Sequence, residues 1–232
     1  MVEIKSKSEI GINHLANQDC IYVKINKDSN LNFFAGVADG IGGLDHGELA
    51  SKESLEKIYK LLDQKFNNTD IKIKDINSLI KKAIQETNKH IIKIANKKQT
   101  EIGTTLTFVV SIKNMIFFGH VGDTSIYAKY ESHDNKISLS KLTIDHNLNN
   151  RSNVLSKYIG MKNLKNTQIQ KLNLVDCKQL ILMSDGITGF IDDENILNTL
   201  NSKINDVPKK LIELSKKNDS YDDMSIIVIT LD

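Results

Sequence analysis

Two apolar runs that each end in Asp-Gly limit the folds open to this chain more than any other feature. They are FFAGVADGIGG at positions 33–43 and LILMSDGITG at positions 180–189. Consecutive apolar residues predict a strand covered on both faces, so the aspartate that ends each run, Asp39 or Asp185, marks where the core opens toward solvent. Asp-Gly is also a common hairpin dipeptide, and either motif taken alone is explained first as a plain turn.

Acidic residues also stand directly before two further predicted strands. Asp19 precedes the run at 20–25, and Asp222 and Asp223 precede the apolar run at 224–231. The sequence offers these carboxylates no obvious cationic partner. Carboxylates gathered at strand ends, together with Asp39 and Asp185, therefore predict a metal site, because like charges that lie close together are costly without a cation.

The order of strand and helix patterns predicts the class of fold. Apolar and β-branched runs bounded by Gly, Asn or Asp predict strands at 19–24, 32–38, 104–112, 115–121, 125–130, 136–142, 169–174, 179–183 and 224–231. Apolar spacing predicts helices at 48–66, 76–97, 193–200 and 206–217. Because the helices come in consecutive pairs, the pattern disfavours a doubly wound parallel sheet and favours a β-sandwich with helices outside it.

Composition narrows the function classes. The chain has 232 residues, 40% of them hydrophobic, and a formal net charge of +2 at pH 7. This length predicts one domain spanning residues 1–232, and the near balance of charge supports neither a nucleic-acid nor a membrane role. No run approaches the roughly 18 apolar residues of a membrane span, and no signal peptide is evident, so we expect a soluble, cytoplasmic protein and a monomer.

The two cysteines argue against cysteine-based chemistry. Cys20 and Cys177 lie far apart and form no Cys-x-x-Cys pair, so neither a disulfide framework nor a zinc knuckle is expected. Neither begins a Cys-x5-Arg loop, which argues against a cysteine-nucleophile phosphatase. Both cysteines are predicted to be structural.

A series of motifs resembles a known family. In order along the chain they are GINHLANQD, GVADGIGGLDHGELAS, EIGTTLTFVV, FFGHVGDTSIY, LTIDH, SNVLSKYIG, LILMSDGIT and DDMSIIVI. This order resembles that of the metal-dependent Ser/Thr protein phosphatases of type 2C, in their short bacterial form. The resemblance runs over nearly the whole chain, and a set of motifs in the family's order is far more specific than any one of them.

The resemblance implies an α+β fold, a four-layer α-β-β-α sandwich in which two mainly antiparallel sheets are flanked by pairs of helices. It also implies a centre of two Mg²⁺ or Mn²⁺ ions at one end. Asp39 matches the carboxylate that bridges both ions, and the carbonyl of Gly40 matches a further ligand. Asp185 and Asp222 match ligands of the second ion, and Asp19 matches the carboxylate that holds metal-bound water.

A third, weaker metal is implied as well. Asp123 matches the residue that binds it together with Asp185 in bacterial members. Carboxylate, carbonyl and water oxygens are hard ligands that suit Mg²⁺ or Mn²⁺, whereas zinc would call for His or Cys. Two such ions about 4 Å apart can activate a bridging water that attacks the phosphoryl group in line, so no phosphoenzyme is needed.

The chain departs from the family at the residue that grips the substrate phosphate. The family usually has Arg three residues after the glycine of its first motif, and His14 stands there. An imidazole lacks the bidentate fork of a guanidinium, so we expect weaker phosphate binding through His14, with an ordinary surface histidine as the alternative. Arg151, the only arginine, is a candidate for part of the lost contact, and a lone surface arginine is the alternative.

Two more departures lie near the predicted site. Ser125 stands where the family commonly has Arg, and Leu44 stands where many members have His. His46, two residues on, is a candidate general acid for the leaving alkoxide, with a surface histidine at the start of a helix as the alternative. The segment 146–152, HNLNNRS, is shorter than the mobile flap that bacterial relatives usually carry beside the active site.

These observations lead to one favoured function and two alternatives. The favoured function is a metal-dependent phosphatase of phosphoserine and phosphothreonine in proteins, opposing a bacterial-type Ser/Thr kinase. The second is a catalytically weak, phosphatase-like regulatory or binding module, which the missing arginine and flap would favour. The third is a hydrolase of small phosphoesters. The complete acidic cluster favours the first, because a module without metal has little reason to keep it.

Overall fold

The computed structural model describes residues 2–12, 14–26, 29–68, 71–148 and 154–231. The strands are β1 Glu3–Glu9, β2 Cys20–Ile25, β3 Leu31–Ala38, β4 Leu106–Ile112, β5 Met115–Val121, β6 Ser125–Glu131, β7 Ile137–Lys141, β8 Gln168–Lys171, β9 Cys177–Met183 and β10 Met224–Thr230. The helices are α1 Gly47–Asn68, α2 Ile76–Lys98, α3 Asp185–Thr188, α4 Asp193–Leu200 and α5 Val207–Lys217. None of these helices is long and apolar enough to cross a membrane.

The strands form two five-stranded sheets that lie face to face. Sheet A has the order β1-β10-β9-β6-β7, and sheet B has the order β2-β3-β4-β5-β8. Neighbouring strands are antiparallel throughout both sheets. Helices α1 and α2 cover sheet B, and α3, α4 and α5 cover sheet A. The predicted four-layer α-β-β-α sandwich is confirmed.

Strand β3 shows why consecutive apolar residues are needed. Phe33 and Val37 point into the cluster between the two sheets, whereas Phe34 and Ala38 point into the cluster beneath α1 and α2. Side chains alternate between the two faces of a strand, so a strand covered on both faces in the middle of four layers is apolar along most of its length. The ring of Phe34 stacks on that of Phe108 in β4 at 5.5 Å between centroids, which joins the two strands on the helix side.

The sequence patterns missed strand β1. Its sequence, EIKSKSE, is mostly polar and charged, so it carries no apolar run. The strand lies at the edge of sheet A, where it pairs with β10 from Glu3 opposite Thr230 to Glu9 opposite Met224. Main-chain hydrogen bonds to β10 therefore hold it in place, and charged side chains are typical of an exposed sheet edge.

Connecting segments meet at one end of the sandwich, which we call the carboxylate end. The segment from β1 to β2 and the segment from β5 to β6 (residues 122–124) each connect one sheet to the other at this end. The turns after β3 and β9 and the turn before β10 lie at the same end, because Cys20 pairs with Ala38 and Ser125 pairs with Met183. Antiparallel pairing thus gathers residues from distant parts of the chain.

Candidate metal centre

The carboxylate end contains a cavity of about 500 Å³. Its lining includes four of the five predicted carboxylate ligands, namely Asp39, Asp123, Asp185 and Asp222. Asp19 is buried behind them, 8% exposed. The cavity is also lined by Gly40, whose main-chain N–H donates a 3.1 Å hydrogen bond to the carbonyl of Gln18. The structure therefore brings the predicted acidic residues to one place.

The carboxylates lie close enough to perturb one another. Burial, then the charges of Asp19, Asp185 and Asp123, raise the pKa of Asp39 well above its usual range. Burial raises the pKa of Asp123 to about 7, with a further contribution from Asp185. Burial and the charge of Asp222 raise the pKa of Asp185 as well. The protein thus holds a set of acids that resist ionising together without positive charge.

Two of the carboxylate oxygens are buried and have no hydrogen-bond partner among the described residues. They are Oδ1 of Asp19 and Oδ1 of Asp185. The other oxygen of Asp19 accepts a 2.8 Å hydrogen bond from the hydroxyl of Ser184, and burial still raises the pKa of Asp19 to about 7. A buried polar atom is costly when unpaired, so these oxygens fit a site for cations with hard oxygen ligands.

A close approach of two turns places Asp185 beside Asp222. Gly186 follows Asp185, and a β-carbon built on it would lie 2.0 Å from the carbonyl oxygen of Asp223. Only glycine permits that approach, which explains the Asp-Gly pair at this position without a hairpin. The short helix α3, which the sequence patterns missed, begins at Asp185 and turns the chain away from the cavity.

Asp223 supports the site, and the sequence did not assign it this role. Its side chain, 3% exposed, accepts 2.7 Å hydrogen bonds from the main-chain N–H groups of Gly11 and Gln18. The imidazole of His14 lies beside it, with Nδ1 3.1 Å from Oδ1. Nε2 of His14 lies 3.9 Å from Oδ1 of Asp222. Asp223 therefore holds Gly11, His14 and Gln18 beside the turn that carries Asp222, and its adjacency to Asp222 was the available signal.

A network of threonines beneath Asp39 was also missed. The main-chain N–H of Asp39 donates a 2.8 Å hydrogen bond to Oγ1 of Thr105, which lies 2.6 Å from Oγ1 of Thr124. The hydroxyl of Thr104 donates to the carbonyl of Asp39 at 2.7 Å. Consecutive threonines at the start of a buried strand were the signal, since a hydroxyl there needs a partner.

The other predicted site residues lie in different surroundings. His46 has a φ of 57°, lies 3.6 Å from the carboxylate of Glu48 and is not among the residues that line the cavity. Arg151 falls outside the described residues, as does most of the predicted short flap. At the flanks of that segment, Asn147 pairs with Leu155 in an isolated bridge.

A cavity of mutually close carboxylates at the end of an α-β-β-α sandwich is the arrangement that the resemblance to the metal-dependent phosphatases implies. The sequence pattern of the protein phosphatase 2C family matches residues 11–220, and the chain belongs to this family. It is accordingly a metal-dependent phosphatase that acts on phosphorylated serine and threonine residues of proteins. The predicted family and activity are confirmed.

Relatives and solved structures agree with this assignment. The serine/threonine phosphatase stp of Listeria welshimeri is 26% identical over 217 residues, covering 83% of this chain and 82% of its own. The crystal structure of Stp1 from Staphylococcus aureus has a TM-score of 0.83 at 21% identity, covering 100% of this chain and 96% of that chain. The catalytic domain of PstP in complex with two manganese ions has a TM-score of 0.77 at 21% identity, covering 99% and 97%. These structural matches establish the shared fold.

Proposed function

We propose that this phosphatase hydrolyses its phosphoserine and phosphothreonine substrates at a centre of two Mg²⁺ or Mn²⁺ ions. The observation that carries the proposal is that one buried oxygen of Asp19 and one of Asp185, within a cluster of carboxylates, have no hydrogen-bond partner in the described part of the chain. The donor set consists of hard oxygens, which suits these ions. The PstP structure with two manganese ions supports the ion count.

Each acidic residue has a proposed task. Asp39 would hold both ions, Asp185 and Asp222 would hold the second, and the carbonyl of Gly40 would add a ligand. Asp123 and Asp185 hold a third, weaker ion. When bound, the ions supply positive charge that neutralises the phosphoryl oxygens and lowers the pKa of the attacking water.

Asp19 is proposed to orient the attacking water. Its Oδ2 is engaged by the hydroxyl of Ser184 at 2.8 Å, while its Oδ1 has no partner among the described residues. That arrangement fixes the side chain and leaves one acceptor for a water proton, so the carboxylate can hold the water in line with the phosphorus atom.

His14 is proposed to contact the substrate phosphate in place of the family's arginine. It lines the cavity, and its ring is held by the buried carboxylate of Asp223. Arg151 is a second candidate for this contact. His46 is proposed as the general acid for the leaving alkoxide. This role predicts that His46→Gln slows hydrolysis of a phosphothreonine peptide more than that of an aryl phosphate, whose leaving group needs no proton.

The biological setting is proposed from the same reasoning. Residues 1–232 act as one phosphatase domain, as a monomer in the cytoplasm, and the substrates are proteins phosphorylated by a bacterial-type Ser/Thr kinase. The regulatory-module alternative is not favoured, because the whole acidic cluster is retained and costs stability without metal.

The test is hydrolysis of a phosphothreonine peptide with Mn²⁺, with Mg²⁺ and with EDTA. Wild type is expected to turn over only with metal, and Asp39→Asn is expected to lose roughly a hundredfold or more in kcat. Asp206→Asn, the same chemical change at a residue whose side chain caps no helix N–H, is the matched control. Metal binding without turnover by wild type would favour the regulatory module.

A further inference from the structure

The cavity has a second wall that is apolar. It is formed by two loops, one after β3 and one before β8, whose lining residues are Ile41, Leu44, Val154, Leu155 and Tyr158. Leu44, Leu155 and Tyr158 are each partly exposed, so they present apolar surface to whatever enters the cavity. None of these side chains can hold a metal ion or donate to a phosphate, apart from the hydroxyl of Tyr158.

Main-chain hydrogen bonds fix the two loops to each other. The N–H of Ile41 donates to the carbonyl of Gly103 at 3.0 Å. Thr104 and Ile159 exchange a pair of hydrogen bonds of 3.1 and 2.8 Å. Both loops are therefore anchored on the segment 103–104 that leads into β4, which gives the apolar wall a defined shape.

Gly103 is where the side chains of the wall meet. A β-carbon built on it would lie 2.8 Å from Cδ2 of Tyr158 and 2.9 Å from Cδ1 of Ile41. Those two side chains thus close over the glycine from either side. Because Thr104 and Thr105 bond the main chain of Asp39, the wall is rigidly positioned relative to the metal-binding cluster.

The size of the cavity leaves room for more than a phosphate. Its volume of about 500 Å³ lies within the range of roughly 300–1,000 Å³ of pockets that enclose a whole small molecule. A phosphate held by cations at the carboxylates would occupy the acidic side and leave the apolar wall for the neighbouring part of the substrate. An apolar side chain gains by covering that wall, whereas a polar one would lose water without gaining a partner.

We propose that Leu44, Leu155 and Tyr158 determine specificity by receiving an apolar side chain that flanks the phosphorylated residue of the substrate protein. The proposal rests on the proposed function of the same cavity. The preferred substrates are then phosphoserine or phosphothreonine segments with a large apolar neighbour.

The test compares two peptides on the Mn²⁺-loaded protein of residues 1–232. One carries leucine on both sides of phosphothreonine, and the other carries serine there. Wild type is expected to favour the leucine peptide by roughly tenfold in kcat/KM, the lower end of discrimination by an apolar pocket. Leu44→Gln and Leu155→Gln are each expected to lower that ratio to within about threefold.

A control variant distinguishes a change in peptide specificity from a general loss of activity caused by a structural defect. Val175→Gln changes an exposed apolar residue, 69% accessible, before the start of β9 at the opposite end of the strand from Asp185, and should keep the wild-type ratio. A wild-type ratio near one would overturn the proposal. So would equal losses on both peptides in Leu44→Gln and Leu155→Gln, because a structural defect scales both alike.

A peptide-binding measurement tests the apolar wall independently of the proposed hydrolysis. Fluorescence polarisation with the two labelled peptides measures preference without turnover. If neither peptide is hydrolysed, the proposed function fails, while tighter binding of the leucine peptide that Leu44→Gln removes still supports the apolar wall. Equal binding of the two peptides would overturn it.

Discussion

The main-chain N–H of Asp39 donates a 2.8 Å hydrogen bond to the side-chain hydroxyl of Thr105, a residue 66 positions away in the sequence. The same hydroxyl lies 2.6 Å from that of Thr124, the residue after Asp123. One threonine thus joins the segment of Asp39 to the turn of Asp123. Small shifts of this hydroxyl would move both carboxylates relative to each other.

Replacing this hydroxyl should weaken the metal centre. Thr105→Val keeps the side-chain shape but leaves the N–H of Asp39 without its acceptor, at a cost of about 1–3 kcal/mol in the free energy of unfolding. We expect a higher Mn²⁺ concentration for half-maximal activity, measured by titrating the metal-free protein. Thr105→Ser, which keeps the hydroxyl, should restore most of the affinity. Equal metal affinity in wild type and Thr105→Val would contradict the positioning role.

The pH dependence of stability should reveal the strained acidic cluster. Asp19 and Asp123 have pKa values of about 7 in the fold, against 3.8 ordinarily. In the metal-free protein between pH 4 and 7, the folded state therefore binds more protons than the unfolded state. The free energy of unfolding falls as pH rises through this window, by about 1.4 kcal/mol per pH unit for each proton, and levels off above pH 7.

Bound metal should restore the stability that the metal-free protein loses as pH rises. Cations bind the ionised carboxylates, so Mn²⁺ is expected to raise the melting temperature more at pH 7.5 than at pH 5.5. The measurement is the difference in melting temperature between Mn²⁺ and EDTA at each pH, which removes the contributions of groups outside the site. Asp206→Asn should behave as wild type. An identical Mn²⁺ effect at both pH values would show that the cluster does not bind the ion.

Removing one carboxylate oxygen beside the metal site should loosen the segment 11–18. Asp223 accepts two main-chain hydrogen bonds, from Gly11 and Gln18, and Asp223→Asn can accept only one because its amide donates. We expect a loss of about 1–3 kcal/mol in the free energy of unfolding and a higher KM for phosphopeptide, since His14 lies on this segment.

Urea unfolding and steady-state kinetics on the same samples check this prediction. Asp222→Asn is the instructive comparison, because Asp222 is part of the proposed metal site. It should raise the Mn²⁺ requirement more than it lowers stability. If Asp223→Asn left both stability and KM unchanged, the two hydrogen bonds would not hold the segment.

Two buried histidines should lower the stability of the folded protein in acid. His120 and His146 stack at 5.0 Å between ring centroids, and burial lowers their pKa values to about 3 and about 4. Nδ1 of His120 lies 2.8 Å from the hydroxyl of Thr107, and Nε2 lies 3.1 Å from the carbonyl of Ile144. Both rings are therefore neutral in the fold at neutral pH.

The variant His120→Gln measures how much His120 contributes to the loss of stability as pH falls. Below pH 6.5 the unfolded chain takes up a proton on His120 that the folded protein refuses until about pH 3, so wild type loses about 1.4 kcal/mol per pH unit from this residue as pH falls. The variant lacks the imidazole and therefore lacks this pH-dependent loss of stability. The stability advantage of wild type over His120→Gln should therefore shrink between pH 6.5 and pH 4 in chemical denaturation, and a constant difference would argue against the buried, neutral state.

Local patterns predicted most of the elements. Strand β5 was predicted with its observed bounds, and helix α2 within one residue, because apolar periodicity and turn residues are local properties. Strand β1 was missed, since its place at the sheet edge depends on main-chain pairing with β10, far along the chain. The short helix α3 was missed because a single turn leaves no periodic pattern.

The sequence by itself determined the layered α+β class, because burial on both faces of a strand favours apolar runs. It also located the acidic residues at strand ends, because a carboxylate that ends such a run marks where the core opens toward solvent. Only the tertiary structure decided how those carboxylates are supported. The bond between Asp39 and Thr105 and the hold of Asp223 on Gly11 and Gln18 join residues distant in sequence. The apolar wall at Leu44, Leu155 and Tyr158 likewise exists only because two loops meet over Gly103. Such contacts depend on strand register and loop closure, which no local pattern encodes.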